Sequence, residues 1–146
     1  MSIERDIHLD LGSGDQPYEH TEGKTIQSDI YYDDVGGTSP DEPLMSIDAE
    51  HIPFRDESIS RITSLAAMGI MTDLEESLAE AIRVLKSGGT LEIITYLFWE
   101  DAKSIRKFLL TQPIKNLYMR PLAQDFREEE FIDNVTPTWK VKFTKV

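Results

Sequence analysis

The sequence contains no cysteine, and this absence excludes several kinds of chemistry. A chain without thiols forms no disulfide, supplies no thiolate ligand to zinc and has no cysteine nucleophile. Long apolar runs are also absent, because no stretch of about 18 apolar residues occurs, so we expect no transmembrane helix. The first residues alternate in charge and lack the apolar core of a secretory signal. We therefore expect a cytoplasmic protein without membrane contact.

Basic residues are scarce: the chain has 15 Lys and Arg residues but 27 Asp and Glu residues, which gives a net charge of -12. This balance disfavours nucleic acid as a partner, because nucleic-acid binding depends on clustered positive charge. The charge is uneven: residues 1–102 carry -16 and residues 103–146 carry +4. The basic C-terminal part is typical of a solvated surface, and an anionic partner bound there is the alternative.

Short apolar segments of the chain predict strands, and one longer segment predicts an amphipathic helix. The predicted strands are Asp6–Leu11, Thr25–Ile30, Leu44–Asp48, Ile59–Leu65, Thr90–Tyr96 and Thr138–Val146. Apolar residues at three- and four-residue steps predict a helix over Asp73–Lys86. Thr72 and Glu75 suggest a capping box at its start, and Gly88 and Gly89 suggest its end. Further helices are predicted at Glu100–Thr111 and Asp125–Val135.

Strands that alternate with helices and crossover loops predict a single α/β domain with a mostly parallel sheet. Strands covered on both faces are apolar on both faces, but here Leu91 and Ile93 alternate with Thr90 and Glu92. We therefore predict reduced helix cover on one face of the sheet, with Glu92 not deeply buried. That face is expected to be solvated or to meet a second copy of the chain or another partner.

The turn after the first predicted strand is the strongest local signal for a ligand. Asp10 ends the strand and is followed by Gly12, Ser13 and Gly14, so backbone amides without bulky side chains can approach a nucleotide-like ligand. The dinucleotide fingerprint requires a third glycine where Pro17 stands, so a hydride-transfer cofactor is disfavoured. An ordinary strand-to-loop turn is the alternative interpretation of this stretch.

Four signals in order resemble the class I S-adenosylmethionine-dependent methyltransferases. They are the Asp10-Leu11-Gly12-Ser13-Gly14 turn, Asp29 at the end of the second strand, Ile47-Asp48-Ala49 after the third, and Val84–Leu91 before the fifth. The resemblance covers about residues 7–97. It implies a Rossmann-like methyltransferase fold in one domain over residues 1–146, with a cofactor part at about 6–97 and a variable part at 98–146.

The resemblance also implies the cofactor, S-adenosylmethionine, and the residues that contact it. These residues are Asp10, Gly12, Ser13, Gly14, Asp29, Ile30, Asp48, Ala49, Leu65 and Ala66. The glycine turn would approach the methionine part and the ribose, with Asp10 orienting the turn. Asp29 lies 19 residues after Asp10, about where a carboxylate that accepts from both ribose hydroxyls is expected.

The other implied contacts belong to the adenine ring and the methionine backbone. Ile30 would pack on the adenine face, Asp48 would accept from the adenine amino group, and the Ala49 amide would donate to the ring. Leu65 and Ala66 would line the methionine part. For each of these residues, a plain turn or core role is the alternative.

The catalytic residue and the methyl acceptor stay open. Where many relatives carry His or Glu after the fourth strand, this chain reads Ala66-Ala67, so no obvious general base is present. Helpers for proton removal are His51, His20, Tyr18 and Tyr96, and candidates for an acceptor pocket are Trp99, Phe98, Tyr118 and Arg120. The aspartates of residues 31–43 lack the spacing of a calcium loop, so no metal site is predicted.

Three hypotheses of function follow from these observations. The first is a methyltransferase whose acceptor is a small molecule or a protein in preference to nucleic acid. The second is a binding or regulatory protein that keeps the cofactor fold without turnover. The third is aminopropyl transfer, as in polyamine synthases, which this chain resembles only at the glycine turn.

Overall fold

A computed structural model describes residues 6–11, 24–29, 44–65, 73–122 and 138–146. Within these ranges lie seven strands and two helices. They are β1 (Ile7–Leu11), β2 (Lys24–Asp29), β3 (Leu44–Ser46), β4 (Ile59–Leu65), α1 (Leu74–Val84), β5 (Leu85–Tyr96), α2 (Trp99–Leu110), β6 (Ile114–Pro121) and β7 (Thr138–Lys145). Neither described helix has the length and apolar character needed to cross a membrane.

The seven strands form one sheet in the order β3-β2-β1-β4-β5-β7-β6. Strands β1 to β5 run parallel to one another, whereas β7 is antiparallel to both β5 and β6. The direction of strand progression reverses between β1 and β4, and ligands of open α/β sheets bind outside the carboxyl ends of the strands at such a point. The mostly parallel sheet predicted from the sequence is confirmed.

One face of the sheet is apolar and carries both described helices. Its strands contribute fully buried side chains such as Leu9, Ile62, Leu91 and Phe143, and these form one core with the buried side chains of α1 and α2. Helix α1 buries Leu74, Leu78, Ala81 and Ile82 because these residues recur at three- and four-residue steps.

The opposite face of the sheet is polar. Register places His8 and Asp10 of β1, Thr63 of β4 and Glu92 of β5 on it. Glu92 keeps 18% of its side chain exposed and pairs with Lys140 at 2.9 Å. Neither of the two helices in the described part of the chain lies on this face. His8, Asp10 and Thr63 are nevertheless buried, with exposures of 3% or less.

The predicted helix at Asp73–Lys86 is shorter in the structure and is capped differently. Asp73 is the N-cap, and its Oδ1 accepts a hydrogen bond from the Glu76 amide at 3.1 Å. The predicted capping box therefore lies one residue too early, and Thr72 lies outside the described residues. The helix ends at Val84 without a glycine cap, because Leu85 is already extended and begins β5.

Gly88 and Gly89 were predicted to end the helix, but they lie inside β5 instead. The register of β5 against β4 shifts in this region, and Gly88 adopts a positive φ of 82° that glycine tolerates without a steric penalty. Strand β6 was not predicted at all. The predicted helix at Asp125–Val135 and the loop at residues 31–43 lie outside the described residues.

Candidate functional site

Three acidic residues predicted to bind the cofactor lie at the carboxyl ends of neighbouring strands. Asp10 is the penultimate residue of β1, Asp29 is the last residue of β2, and Asp48 follows β3 by two residues. Because β1, β2 and β3 are parallel neighbours, these carboxyl ends meet at one edge of the sheet. This edge, called the carboxyl edge below, supplies acceptors suited to a ligand rich in hydroxyl and amino donors.

Asp10 is held by a buried chain of hydrogen bonds across β1 and β4. Thr63 Oγ1 donates to Asp10 Oδ1 at 2.9 Å, and His8 Nε2 lies 2.7 Å from the same hydroxyl. A carboxylate only accepts and a hydroxyl has one hydrogen, so Thr63 must accept from His8, whose Nε2 carries the proton. All three residues are buried, with exposures of 3% or less. The chain of bonds fixes the orientation of the Asp10 carboxylate.

Asp48 lies in a tight turn between β3 and β4. Its Oδ1 accepts from the Glu50 amide at 2.9 Å, and its backbone carbonyl accepts from the His51 amide at the same distance. The His51 ring lies 3.5 Å from Asp48 Oδ2. The side chain of Asp48 is 38% exposed, and a carboxylate has about four acceptor positions, so this group can accept further hydrogen bonds. Ala49 beside it is buried.

A polar clamp between α1 and residues 52–56 holds the segment that follows this turn. Arg83 donates to the carbonyls of Phe54 and Ile52 at 2.9 and 2.8 Å, and it pairs with Glu80 and Asp56. Glu80 Oε2 in turn accepts from the Ile52 amide at 2.9 Å. The clamp therefore holds the residues that follow the Asp48 turn against α1.

The Glu80 carboxyl makes part of this clamp dependent on pH. The hydrogen bond from Arg83, helped by the Ile52 amide and the charges of Arg83 and His51, lowers the pKa of Glu80 below its ordinary value of 4.5 although burial opposes this shift. Because the folded pKa is below the unfolded one, the unfolded chain binds more protons in acid. The stabilisation is complete above the ordinary pKa and is lost as the pH falls through the lowered folded pKa.

We therefore expect Glu80→Gln to lower the free energy of unfolding by about 1 kcal/mol at neutral pH. The difference between the variant and the wild type should shrink as the pH falls below the ordinary carboxyl range. Urea unfolding at several pH values checks this expectation. Glu75→Gln on the exposed side of the same helix is the control. A difference that stays constant with pH would contradict the role of ionised Glu80.

A pocket of about 370 Å³ opens beside the carboxyl end of β5. Its wall includes Asp73 and Glu75 from the start of α1, Tyr96 and Phe98 around the end of β5, and Asp101 of α2. Three carboxylates and two aromatic rings give this pocket an acidic and partly apolar lining. Such a lining favours amines and neutral groups over phosphates.

The residues suggested for proton transfer and acceptor binding are separated in the structure. Tyr96 and Phe98 line the pocket, whereas Trp99 packs edge-on against Trp139 with ring centroids 5.0 Å apart. Tyr118 and Arg120 are paired with Lys142 and Lys140, which places them on the polar face of the sheet. Of the four candidates for an acceptor pocket, Phe98 lines this pocket, whereas Trp99, Tyr118 and Arg120 are not among its lining residues.

Of the three other candidates for proton transfer, one lies away from the pocket and two are not described. His51 lies beside Asp48, near the end of β3, and is 81% exposed. His20 and Tyr18 lie outside the described residues.

Several predicted cofactor residues are only partly described. The backbones of Asp29 and Leu65 are described, and these residues are the last of β2 and β4. The other predicted residues that lie outside the described part of the chain are Gly12, Ser13, Gly14, Ile30 and Ala66. Sequence reasoning missed Thr63 as the partner of Asp10 and missed the Glu80–Arg83 clamp. Glu80 and Arg83 are three residues apart on a predicted helix, and this spacing could have predicted the ion pair between them. The pairing of Thr63 with His8 and Asp10 had no local signal.

Residues 24–93, just under half of the chain, match the family described as "Methyltransferase domain". No curated protein matches the sequence. A phosphoethanolamine N-methyltransferase 2 from Haemonchus contortus, solved with phosphomonomethylethanolamine and S-adenosylhomocysteine, has a TM-score of 0.71 at 13% identity. The match covers 96% of this chain and 48% of that chain, so this chain spans about half of that enzyme.

Two further structures have similar scores. A Haloferax volcanii methyltransferase chain, in complex with the methyltransferase activator Trm112, has a TM-score of 0.70 at 18% identity, with 96% of this chain and 82% of that chain covered. The [4+2]-cyclase SpnF has a TM-score of 0.71 at 14% identity, with 96% and 75% covered. At these identities the structures establish a shared fold.

Proposed function

We propose that the chain is a class I S-adenosylmethionine-dependent methyltransferase domain, which binds this cofactor at the carboxyl edge and transfers its methyl group to an acceptor. The observation that carries the proposal is the placement of Asp10, Asp29 and Asp48 at the ends of three adjacent parallel strands. The sulfonium of the bound cofactor supplies the reactive methyl group. The residues of the chain contribute binding and orientation, which can supply much of the rate of a displacement reaction.

Each acidic residue has a role in this proposal that follows from its position. Asp29 accepts from the ribose hydroxyls, and Asp48 accepts from the adenine amino group beside the donating amide of Ala49. Asp10, held by Thr63, orients the turn of Gly12, Ser13 and Gly14. These assignments are supported by the strand ends and by the remaining acceptor capacity of Asp48.

The remaining contacts complete the same site. Ile30, directly after β2, would cover the adenine ring. Leu65 and Ala66, at and after the end of β4, would contact the methionine part. The proposal is supported by the sheet order, in which β2 and β4 both neighbour β1.

The acceptor in this proposal is a small molecule or a protein side chain that enters the acidic pocket. The pocket lies where β5 ends, two strands from β1 in the sheet order, so it adjoins the carboxyl edge. Its carboxylates repel phosphate groups and favour an amine. Tyr96, 46% exposed in the pocket wall, is the described candidate nearest to an acceptor that must lose a proton.

A binding or regulatory protein without methyl transfer is the second candidate. It is favoured by one observation, which is that a [4+2]-cyclase has the same fold at a TM-score of 0.71, so the fold alone does not determine the reaction.

The test combines binding with turnover. Isothermal titration calorimetry with S-adenosylmethionine measures affinity, and transfer of a labelled methyl group is measured with primary amines, lysine-containing peptides and a short RNA. We expect binding together with transfer to an amine or a peptide. Binding without transfer to any acceptor supports the second candidate, and the absence of binding overturns both. Preferred transfer to RNA contradicts the proposed acceptor class.

A further inference from the structure

Glu50 connects the Asp48 turn with the first turn of α1. Its backbone amide donates to Asp48 Oδ1 at 2.9 Å, and its side-chain Oε1 accepts from the Asp73 amide at 3.1 Å. These two hydrogen bonds are together called the Glu50 bridge. One end of the Glu50 bridge therefore lies at the proposed adenine ligand, and the other lies at the N-cap of α1.

The Asp73 end of the Glu50 bridge fixes the place where α1 begins. Asp73 Oδ1 accepts from the Glu76 amide at 3.1 Å, and the Asp73 carbonyl accepts from the Ser77 amide at 2.9 Å. The amide of an N-cap residue has no acceptor within its own helix, and Glu50 supplies one from outside. A negative charge is also favourable at a helix N-terminus. The Glu50 carboxylate therefore stabilises the first turn of α1 in its position.

The first turn of α1 is also part of the acidic pocket. Asp73 and Glu75 both belong to the pocket wall. The polar clamp holds residues 52–56 against the same helix, so the segment that begins at Asp48 is joined to α1 at two separate points. A restraint on the Asp48 carboxylate is therefore transmitted to the pocket wall.

Binding of the cofactor would supply such a restraint. In the proposed site the adenine amino group donates to Asp48, whose Oδ1 already accepts from the Glu50 amide and whose side chain is 38% exposed. A ligand on this carboxylate restrains it, and through Oδ1 it restrains the Glu50 backbone. Given the proposed function, which places adenine at Asp48, we propose that Glu50 couples cofactor binding to the acidic pocket by holding the first turn of α1. The pocket wall then takes its final position before the acceptor enters.

Coupling through Glu50 and a plain capping role lead to different results. Coupling is reciprocal, so a hydrogen bond that cofactor binding strengthens must in turn strengthen cofactor binding. Glu50→Ala keeps the backbone amide that donates to Asp48 but removes the acceptor for the Asp73 amide. Glu50→Gln keeps both hydrogen bonds, because the oxygen of its side-chain amide is also an acceptor. A cap without coupling changes the free energy of unfolding and leaves cofactor affinity unchanged.

The experiment uses the full chain with S-adenosylhomocysteine as the probe. In titration calorimetry, Glu50→Ala is expected to bind the probe about fivefold more weakly or worse than the wild type, and Glu50→Gln should recover most of the affinity. Glu100→Ala is the matched control, because it removes a carboxylate that is 87% exposed on α2, and it should bind within about twofold of the wild type. Circular dichroism confirms that each variant is folded.

Hydrogen exchange followed by NMR gives a second measurement that needs no acceptor. The probe is expected to slow exchange of the Glu76 and Ser77 amides in the wild type and in Glu50→Gln, but not in Glu50→Ala.

Several results would overturn the coupling. Wild-type affinity in Glu50→Ala would make Glu50 a helix cap only, and equal losses in the alanine and glutamine variants would assign the effect to the charge of Glu50. Exchange of the Glu76 and Ser77 amides that the probe leaves unchanged in the wild type would also overturn the coupling, while the proposed function stands. A wild-type protein that does not bind the probe would overturn the proposed function itself.

Discussion

Replacement of Thr63 by valine is expected to lower the free energy of unfolding by about 3 kcal/mol. The hydroxyl of Thr63 donates to the buried carboxylate of Asp10 and accepts from His8. Valine has a similar shape but makes neither hydrogen bond, and a hydrogen bond to a buried charge contributes more than a neutral one. Urea unfolding followed by circular dichroism measures the change.

Thr63→Ser is the control that separates the hydroxyl from the packing of the side chain. Serine keeps both hydrogen bonds and loses one buried methyl group, so its cost should be about 1 kcal/mol. Since Thr63 orients Asp10, the valine variant should also bind S-adenosylmethionine more weakly than the serine variant. Equal stability of the two variants would contradict the role of the hydroxyl.

Asp29→Ala is expected to weaken S-adenosylmethionine binding at least tenfold, or by about 1.4 kcal/mol. Asp29 ends β2 at the carboxyl edge, and in the proposed site its carboxylate accepts from the ribose hydroxyls. Alanine removes both acceptor oxygens, whereas Asp29→Asn keeps one and should have an intermediate effect. Titration calorimetry provides the affinities.

Glu100→Ala provides the matched control for the loss of a carboxylate. This residue lies on α2 with 87% of its side chain exposed, so its removal should leave cofactor affinity unchanged. Thermal unfolding of each variant checks that the fold is retained. An Asp29→Ala protein that is folded and binds with wild-type affinity would place the ribose elsewhere.

Much of the fold could be predicted because its signals are local. Strand β4 was predicted with the bounds it has in the structure, since the polar turn residues before it mark where it begins. The last strand was predicted to within one residue because Trp139, Val141 and Phe143 alternate along it. Strand β6 was missed because its apolar residues do not alternate regularly with polar ones and only one of its residues is buried, as is possible for a strand at the edge of a sheet.

Of the candidate site, the sequence could predict only the residues that lie at the ends of strands. Asp10, Asp29 and Asp48 are candidates because each lies at or just after the end of a strand, and the sheet order brings the ends of these three strands to one edge. The support of Asp10 by Thr63 could not be found, because these residues are 53 positions apart and meet only through strand pairing. The same limit applies to Tyr118 and Arg120, whose face depends on an unpredicted strand.

The position of β7 has a consequence for the order in which the sheet can form during synthesis. This strand is last along the chain, but it lies between β5 and β6 and is the hydrogen-bonded neighbour of both. Strand β6 therefore emerges from the ribosome before the strand that connects it to the sheet. Until Thr138–Lys145 has been made, β5 is an open edge and β6 has no partner in the described sheet. Synthesis of β7 therefore completes the described sheet by insertion between β5 and β6.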